Sequence, residues 1–402
     1  MRLPAAVLPC LLILTLSSTA SAITWNVPID APTIQAGIDS ASTGDTVLVA
    51  CDIYYEYDIA PKSGITVRSE AGDPSCAIVD AGGLGVVFNC GGVDSTTTIE
   101  GFTITGGSGS NGGGVILSGC HLSFVDCVLS GNSAAKGGGI YCFGSSPRIT
   151  RCILSRNEAT DSGGGMYLYF HCYPILTNCT FFENAAPTAG GLYCQPLADA
   201  LLNNTIIAFS TLGEAVACED QASTLLTCCD VYGNAGGDWV GCIAGQDSVN
   251  NNLWADPMFC DPDAGNFTLA ENSPCAPDHS PLGCGLIGAD TVGCSATAVA
   301  GAEIELPTAL YLGPAVPNPF NPITEISYGI PAGGVASRVI MKVYDATGRE
   351  VTTLIDQDQG PGEYRVVWDG RDHKGVGAAS GVYFYRVTWN GRSETRRMVL
   401  LK

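Results

Sequence analysis

Basic residues are scarce along most of this chain. From Ile23 to Cys294 there are 28 Asp and Glu against six Lys and Arg: Lys62, Arg68, Lys136, Arg148, Arg151 and Arg156. That region carries a net charge of about −22. A field of that sign repels nucleic acid and anionic membrane surfaces, so neither is an expected partner. Histidine is also sparse. His121, His171, His279 and His373 do not fall at ligand spacing, which argues against a zinc site. Long apolar runs are missing after the first 22 residues, so no membrane span is expected in the mature chain. Those 22 residues carry Arg2, a short apolar stretch and the small-residue end Ala20-Ser21-Ala22, the pattern of a secretory signal peptide. The expected location is secreted or cell-surface. The last 108 residues hold no cysteine and balance 11 acids with 11 bases. Eighteen of the 19 cysteines lie between Cys51 and Cys294, an even number in a chain expected to be exported, which permits disulfides.

Against this background one pattern recurs. "GGGVIL", "GGGIYC", "GGGMYL" and "GGLYC" begin at Gly112, Gly137, Gly163 and Gly190. Aligned with them are "IEGFTITGG", "FVDCVLSGN", "ITRCILSRN", "LTNCTFFEN", "LLNNTIIAF" and "LTCCDVYGN". The first column reads Ile99, Phe124, Ile149, Leu176, Leu201 and Leu226. The fourth reads Phe102, Cys127, Cys152, Cys179, Asn204 and Cys229. The sixth reads Ile104, Leu129, Leu154, Phe181, Ile206 and Val231. Every column steps by 25, 25, 27, 25 and 25. Each unit has short alternating runs and no helical period. One unit cannot bury its own apolar face, but stacking the next at about 4.8 Å does so. The pattern therefore predicts an all-β chain, a parallel β-helix over 23–294, with columns four and six inward. The Gly triplets would turn the chain between strands. Asn132, Asn157, Asn184 and Asn234, with Phe209 in the skipped unit, would form a ladder at a left-handed turn.

The stretch "GGGIYCFGSSPRITRCILSRNEA" resembles the right-handed parallel β-helix repeats of the pectin-lyase-like superfamily. "VPIDAPTIQAGIDSASTGDTVLVA", from Val27, is similar to the start of such domains. Its Ile34, Ile38 and Ala41 line one side of a short helix that would plug the first coil. "LWADPMFCDPDAGNFTLAENSPC", from Leu253, resembles their last coil. After a linker over 295–309, residues 310–402 carry "PNPF", "VYDATGREV", "WDGRD", "SGVYFYRV" and "RRMVLLK". This tail resembles FlgD-type immunoglobulin-like domains and the sorting domains of type IX secretion cargo. The resemblance implies a small β-sandwich and the secretion machinery as a partner.

Chemistry is thinly written. The superfamily's enzymes work in a groove on an outer sheet, and the adjacent-Asp and Gly-His-Gly signatures of pectin hydrolases are absent. Asp126 with Arg151 one unit later is the sole reactive-looking pair, and an ion pair accounts for it equally. Tyr141, Tyr167 and Tyr193 step by 26 and 26 and should face outward as a stripe, with Tyr169 and His171 beside them. Flat aromatic faces suit sugar rings. Asp261 and Asp263 in "DPDAGN" sit at alternate positions like Ca²⁺ ligands, the one cofactor these acids would admit, although the glycine of an EF-type loop is missing. The expected bridges are Cys275–Cys284, Cys260–Cys294 and Cys51–Cys76, while Cys127, Cys152 and Cys179 stack as buried thiols. The function expected is a non-catalytic scaffold, exported through its tail, that binds an extracellular polysaccharide or a cell-surface glycan. The alternative is a polysaccharide lyase or glycoside hydrolase acting in a groove of the coil.

Overall fold

A computed structural model describes residues 21–247, 249–295, 309–316, 318–322, 324–331, 337–359 and 362–401. The expected signal peptide lies almost wholly outside them, as does most of the expected linker. The chain divides into two compact units, 1–299 and 300–402.

In the first unit the chain winds as a right-handed parallel coil. Among the described residues three long walls form. A nine-stranded sheet I runs from Thr24–Val27 to Ser223–Thr227. An eight-stranded sheet II runs from Asp52–Tyr54 to Asp230–Tyr232, and a six-stranded sheet III from Phe88–Gly91 to Val216–Cys218. A short fourth wall of three strands, Ser108–Asn111, Ser133–Lys136 and Glu158–Ser162, sits between sheets II and III. Alternation along each strand sends one side chain inward and the next outward. The inward columns pack rung on rung: Ile99, Phe124, Ile149 and Leu176 are each 0% exposed, as are Cys127, Cys152 and Cys179.

The recurring letters are explained at the corners. The first glycine of a triplet, Gly137, has φ 66° and makes the turn. The second, Gly138, has no room for a side chain, because a Cβ there would lie 2.4 Å from the carbonyl oxygen of Glu158 on the next rung. Other corners also take one left-handed residue each. Between sheets I and II these are Gly101, Asp126, Arg151, Asn178, Asn204 and Cys228. After sheet II they are Gly106, Gly131, Arg156, Glu183, Phe209 and Gly233.

Two sequence expectations need correction here. Leu176 pairs with Leu202 and Phe181 with Ile207, so the fifth rung is shifted by one residue. The true steps in the inward columns are 25, 25, 27, 26 and 24. Leu201 is 42% exposed while Leu202 is fully buried, as a one-residue slip requires. The asparagine ladder is also not a set of turn residues. The left-handed position is the residue before it, and each amide points into the core. Asn157 Oδ1 accepts from the Asn132 backbone N–H (3.2 Å) and side-chain amide (3.0 Å), and Asn184 Oδ1 does the same for Asn157 (3.0 Å each). Ser210, not Phe209, fills the skipped rung, donating its N–H to Asn234.

The open first coil is closed by helix α1 (Ile34–Ser40), which buries Ile34, Gly37 and Ile38. Thr33 caps it, and the Glu56 carboxylate accepts from the N–H groups of Ile34 (2.8 Å) and Gln35 (3.2 Å). At the other end the expectation of a simple last coil fails. After Leu253, which bridges Asp230, residues 255–294 fold back as a strap over the outer face of sheet II. The strap packs Phe259, Phe267 and Leu269 on Ile153, Phe182, Ile206 and Ala208. Asn178 and Asn204 donate to its carbonyls at Leu286 (2.8 and 2.9 Å), and Ala289 N–H donates to Thr180 Oγ1 (3.0 Å).

Disulfides join Cys51–Cys76, Cys218–Cys242, Cys228–Cys284 and Cys260–Cys294. The expected Cys275–Cys284 bridge is absent, because Cys284 reaches the corner residue Cys228 across the strap while Cys275 turns inward onto Asp230. The ten other described cysteines are buried thiols. Burial pushes Cys179, Cys194 and Cys229 up to about 12, which keeps them unreactive.

The second unit is an antiparallel sandwich. Three strands (Tyr311–Val316, Thr324–Ile330, Gly362–Trp368) face four (Ser337–Asp345, Glu350–Gln359, Gly381–Trp389, Arg392–Leu400). Tyr328, Trp368, Tyr385, Met341 and Met398 fill its core.

Candidate functional site

Sheet III carries the aromatic residues. Its outward positions form two columns along the coil. In the first, Tyr141 pairs in register with Tyr167, and Tyr167 with Tyr193. The rings stack at 5.5 Å (11° between planes) and 5.1 Å (23°). The stripe exists, but it is not an open face. Tyr167 is only 1% exposed, because its neighbours cover both ring faces and Lys136 lies 5.4 Å from its centroid. Lys136 is in turn held by Asp161 at 3.6 Å. The Tyr193 hydroxyl donates to Glu219 Oε1. Burial, above all, pushes the phenols of Tyr167 and Tyr193 well above their ordinary range.

The second column is the exposed one. Ser118, Phe143 and Tyr169 pair in register. Phe143 and Tyr169 stack at 5.6 Å and are 39% and 41% exposed. The column runs on through Gln195, whose side chain donates to Glu219 Oε1 at 3.1 Å. Where sheet III turns toward sheet I, the neighbouring rungs use a single left-handed glycine, Gly119 or Gly144. The Tyr169 rung uses two residues there, Phe170 and His171, both left-handed at φ 52°. The register proves the insertion: Phe143 pairs with Tyr169, yet the Tyr173 N–H donates to the Ser145 carbonyl (3.1 Å). Left-handed backbone costs a non-glycine residue roughly 1–2 kcal/mol, and such outliers concentrate where function holds them. Phe170 stacks on Phe143 at 6.2 Å and meets the His171 ring edge-on at 4.3 Å. His171 Nδ1 lies 3.2 Å from the Tyr173 hydroxyl. Phe170 and Tyr173 are 47% and 45% exposed.

The exposed surface is therefore Phe143, Tyr169, Phe170, His171 and Tyr173. Tyr141, Tyr167 and Tyr193 are the packed floor beside it. Phe143 was missed in the sequence, although it lies two residues after Tyr141 and so shares its outward parity.

The other sequence candidates do not converge. Asp126 and Arg151 occupy the left-handed corner between sheets I and II, bonded through Nε–Oδ1 and Nη2–Oδ2 at 2.6 Å each. Their half-exposed pairing is an inter-rung clasp of small energy. On the strap, burial raises the carboxyl of Asp290, with Asp73 and Asp126 adding to the shift. Asp261 caps a one-turn helix through the Ala264 N–H, and Asp263 pairs with Arg156 at 3.3 Å. Among the described residues no three His, Cys, Asp or Glu side chains gather as a metal site.

Residues 36–193, and again 84–253, match the family described as the right-handed beta helix region. The chain belongs to that family. Beyond this β-helix, residues 324–393 match the FlgD Ig-like domain. Among solved structures, latent dimeric PorU from Porphyromonas gingivalis aligns with 24% of the chain at 24% identity and a TM-score of 0.20. PorZ, a surface component of the type IX secretion system of the same organism, aligns with 26% at 25% identity and a TM-score of 0.17. The alignments span 9% and 13% of those two proteins. No curated protein matches the β-helix chain. Among the described residues no helix is long and apolar enough to cross a membrane.

Proposed function

We propose that this protein is an exported, non-catalytic scaffold whose β-helix binds a glycan on the outer face of sheet III. The observation that carries this reading is the contiguous exposed patch of Phe143, Tyr169, Phe170 and Tyr173. Solvent-exposed aromatic rings stacked from rung to rung, rimmed by hydroxyl, imidazole and amide groups, suit a ligand with apolar ring faces and polar edges. The left-handed Phe170–His171 corner supports it, since the local backbone cost yields no buried packing. The FlgD Ig-like domain supports the reading of the tail as the module for export or surface attachment. Isothermal titration of the full chain against a panel of soluble oligosaccharides tests the binding reading. Binding without turnover that is lost in Tyr169→Ala and Phe170→Ala is expected. No binding to any oligosaccharide would end it. Removal of residues 310–402 should abolish export or surface retention in the producing cell.

A second reading, hydrolysis, is favoured by one observation: burial raises the carboxyl of Asp290, and the charges of Asp73 and Asp126 add to the shift, so three acids lie within one another's influence. Reducing ends released from the same panel, and lost in Asp290→Asn, would favour it over the scaffold reading.

A further inference from the structure

The charge around the aromatic face narrows its ligand, an inference that rests on the glycan-binding reading above. The outward residues of sheet III, from Asn89 and Gly91 through Ile116 and Ser118 to Ala217, include no Lys or Arg. The nearest cation on the adjoining wall, Lys136, is already held by Asp161 and by the Tyr167 ring. Arg148 lies round the corner, on sheet I. Acid, by contrast, stands in line with the exposed rings. Following the column Phe143, Tyr169 and Gln195 along the coil leads to Glu219. Both donors to Glu219, the Tyr193 hydroxyl and the Gln195 amide, use Oε1. Oε2 meets no donor among the described residues, so half of an exposed carboxylate is free to accept. Asp220 follows it, also exposed.

We propose that the ligand is a glycan free of acidic groups, lying along the coil axis, with amino-bearing chains preferred. Two successive sugar rings lie along the exposed outer edges of Phe143 and Tyr169, whose stacked centroids are 5.6 Å apart, and Phe170 flanks the first. Further along, the chain passes Gln195 and offers a hydroxyl or ammonium to Glu219 Oε2. A uronate chain places a negative charge on every ring. It would meet a face whose outward residues include no Lys or Arg, on a coil of net charge about −22, with Glu219 within a Debye length of roughly 8 Å at physiological salt. Nothing on this face repays the removal of water from a carboxylate.

The test is titration of the full chain with three probes: a deacetylated chitosan hexamer, a cellulose hexamer and a galacturonate hexamer. The chitosan and cellulose probes should bind and the galacturonate probe should not. Chitosan should bind more tightly by roughly fivefold, the size of one exposed ion pair. Glu219→Gln should erase that preference, weakening chitosan by roughly fivefold and cellulose by less. Tyr169→Ala should weaken binding of both probes. Galacturonate binding as tight as cellulose overturns this inference and leaves glycan binding standing. A chitosan preference that survives Glu219→Gln overturns it as well. Failure of all three probes overturns this inference, while the wider oligosaccharide panel decides glycan binding itself.

Discussion

Asp230 offers the sharpest quantitative test of the strap. It holds an outward position at the end of sheet II, where a carboxylate would ordinarily meet water. The strap covers it completely, leaving it 0% exposed. Its partners are the Ala255 N–H (3.1 Å) on Oδ1 and the Cys275 thiol (3.4 Å) on Oδ2, with Asp256 and Asp238 adding negative charge nearby. Burial pushes its carboxyl from 3.8 up to about 7, only partly offset by those two hydrogen bonds. An acid whose folded value is raised is protonated more readily in the native state than in the unfolded chain. Its contribution to stability is therefore full below about pH 4, declines from pH 4 to 7 and is level above that. Three pH units at about 1.4 kcal/mol each make the decline about 4 kcal/mol. Asp230→Asn keeps an acceptor for Ala255 and never ionises. Denaturant midpoints of the full chain and of this variant, from pH 4 to 8 at fixed ionic strength, isolate the effect. Self-repulsion of the acidic coil is common to both proteins and cancels in the difference. The variant should be the more stable at pH 8, and the gap should close toward pH 4. Parallel pH curves for the two proteins would refute the placement of Asp230 beneath the strap.

Three further outcomes follow from the geometry. Phe170→Gly should raise stability by up to about 1 kcal/mol, because glycine accepts the left-handed corner, while weakening oligosaccharide binding; melting and titration on the same sample show whether the two effects part. Asn157→Ala strips the partner from the Asn132 N–H and from the Leu129 carbonyl, both buried, and should cost at least about 2 kcal/mol in chemical denaturation. Cys284→Ser together with Cys228→Ser opens a bridge spanning 56 residues. The expected loss is about 4 kcal/mol on loop entropy, visible as early proteolysis within 255–294 while sheets I and III remain protected.

Much of the coil was legible because an inward column must hold similar residues on each rung, and Ile99 to Leu176 do. The register failed at one place for a definite reason. Leu201-Leu202 and Asn203-Asn204 are doublets, so alignments one residue apart score alike, and only burial of Leu202 separates them. The tyrosine stripe was found by parity, but parity says nothing about what lies above a ring, and Tyr167 is roofed by its own copies. The strap had no period to betray it. For the same reason Asp230 reads as a solvent-facing acid until the chain is seen to return over it. The Cys275–Cys284 pairing joined two cysteines outside the repeat columns, whereas the folded-back strap brings Cys284 onto Cys228, a residue of the repeat. The FlgD-like tail was readable from its strand and turn motifs.

The Tyr169 rung is two residues longer than its predecessor, and its walls remain in perfect step. One surplus residue widens the bulged turn of the fourth wall, and the other is the Phe170–His171 corner. Surplus length is thus tolerated at bends and in the short fourth wall and refused along the three long walls. A lineage could acquire new surface chemistry at such bends one residue at a time, with the interior unaltered, and whole rungs could be duplicated to lengthen the rod. For the experimenter, position 170 is accordingly a natural place to graft a foreign peptide.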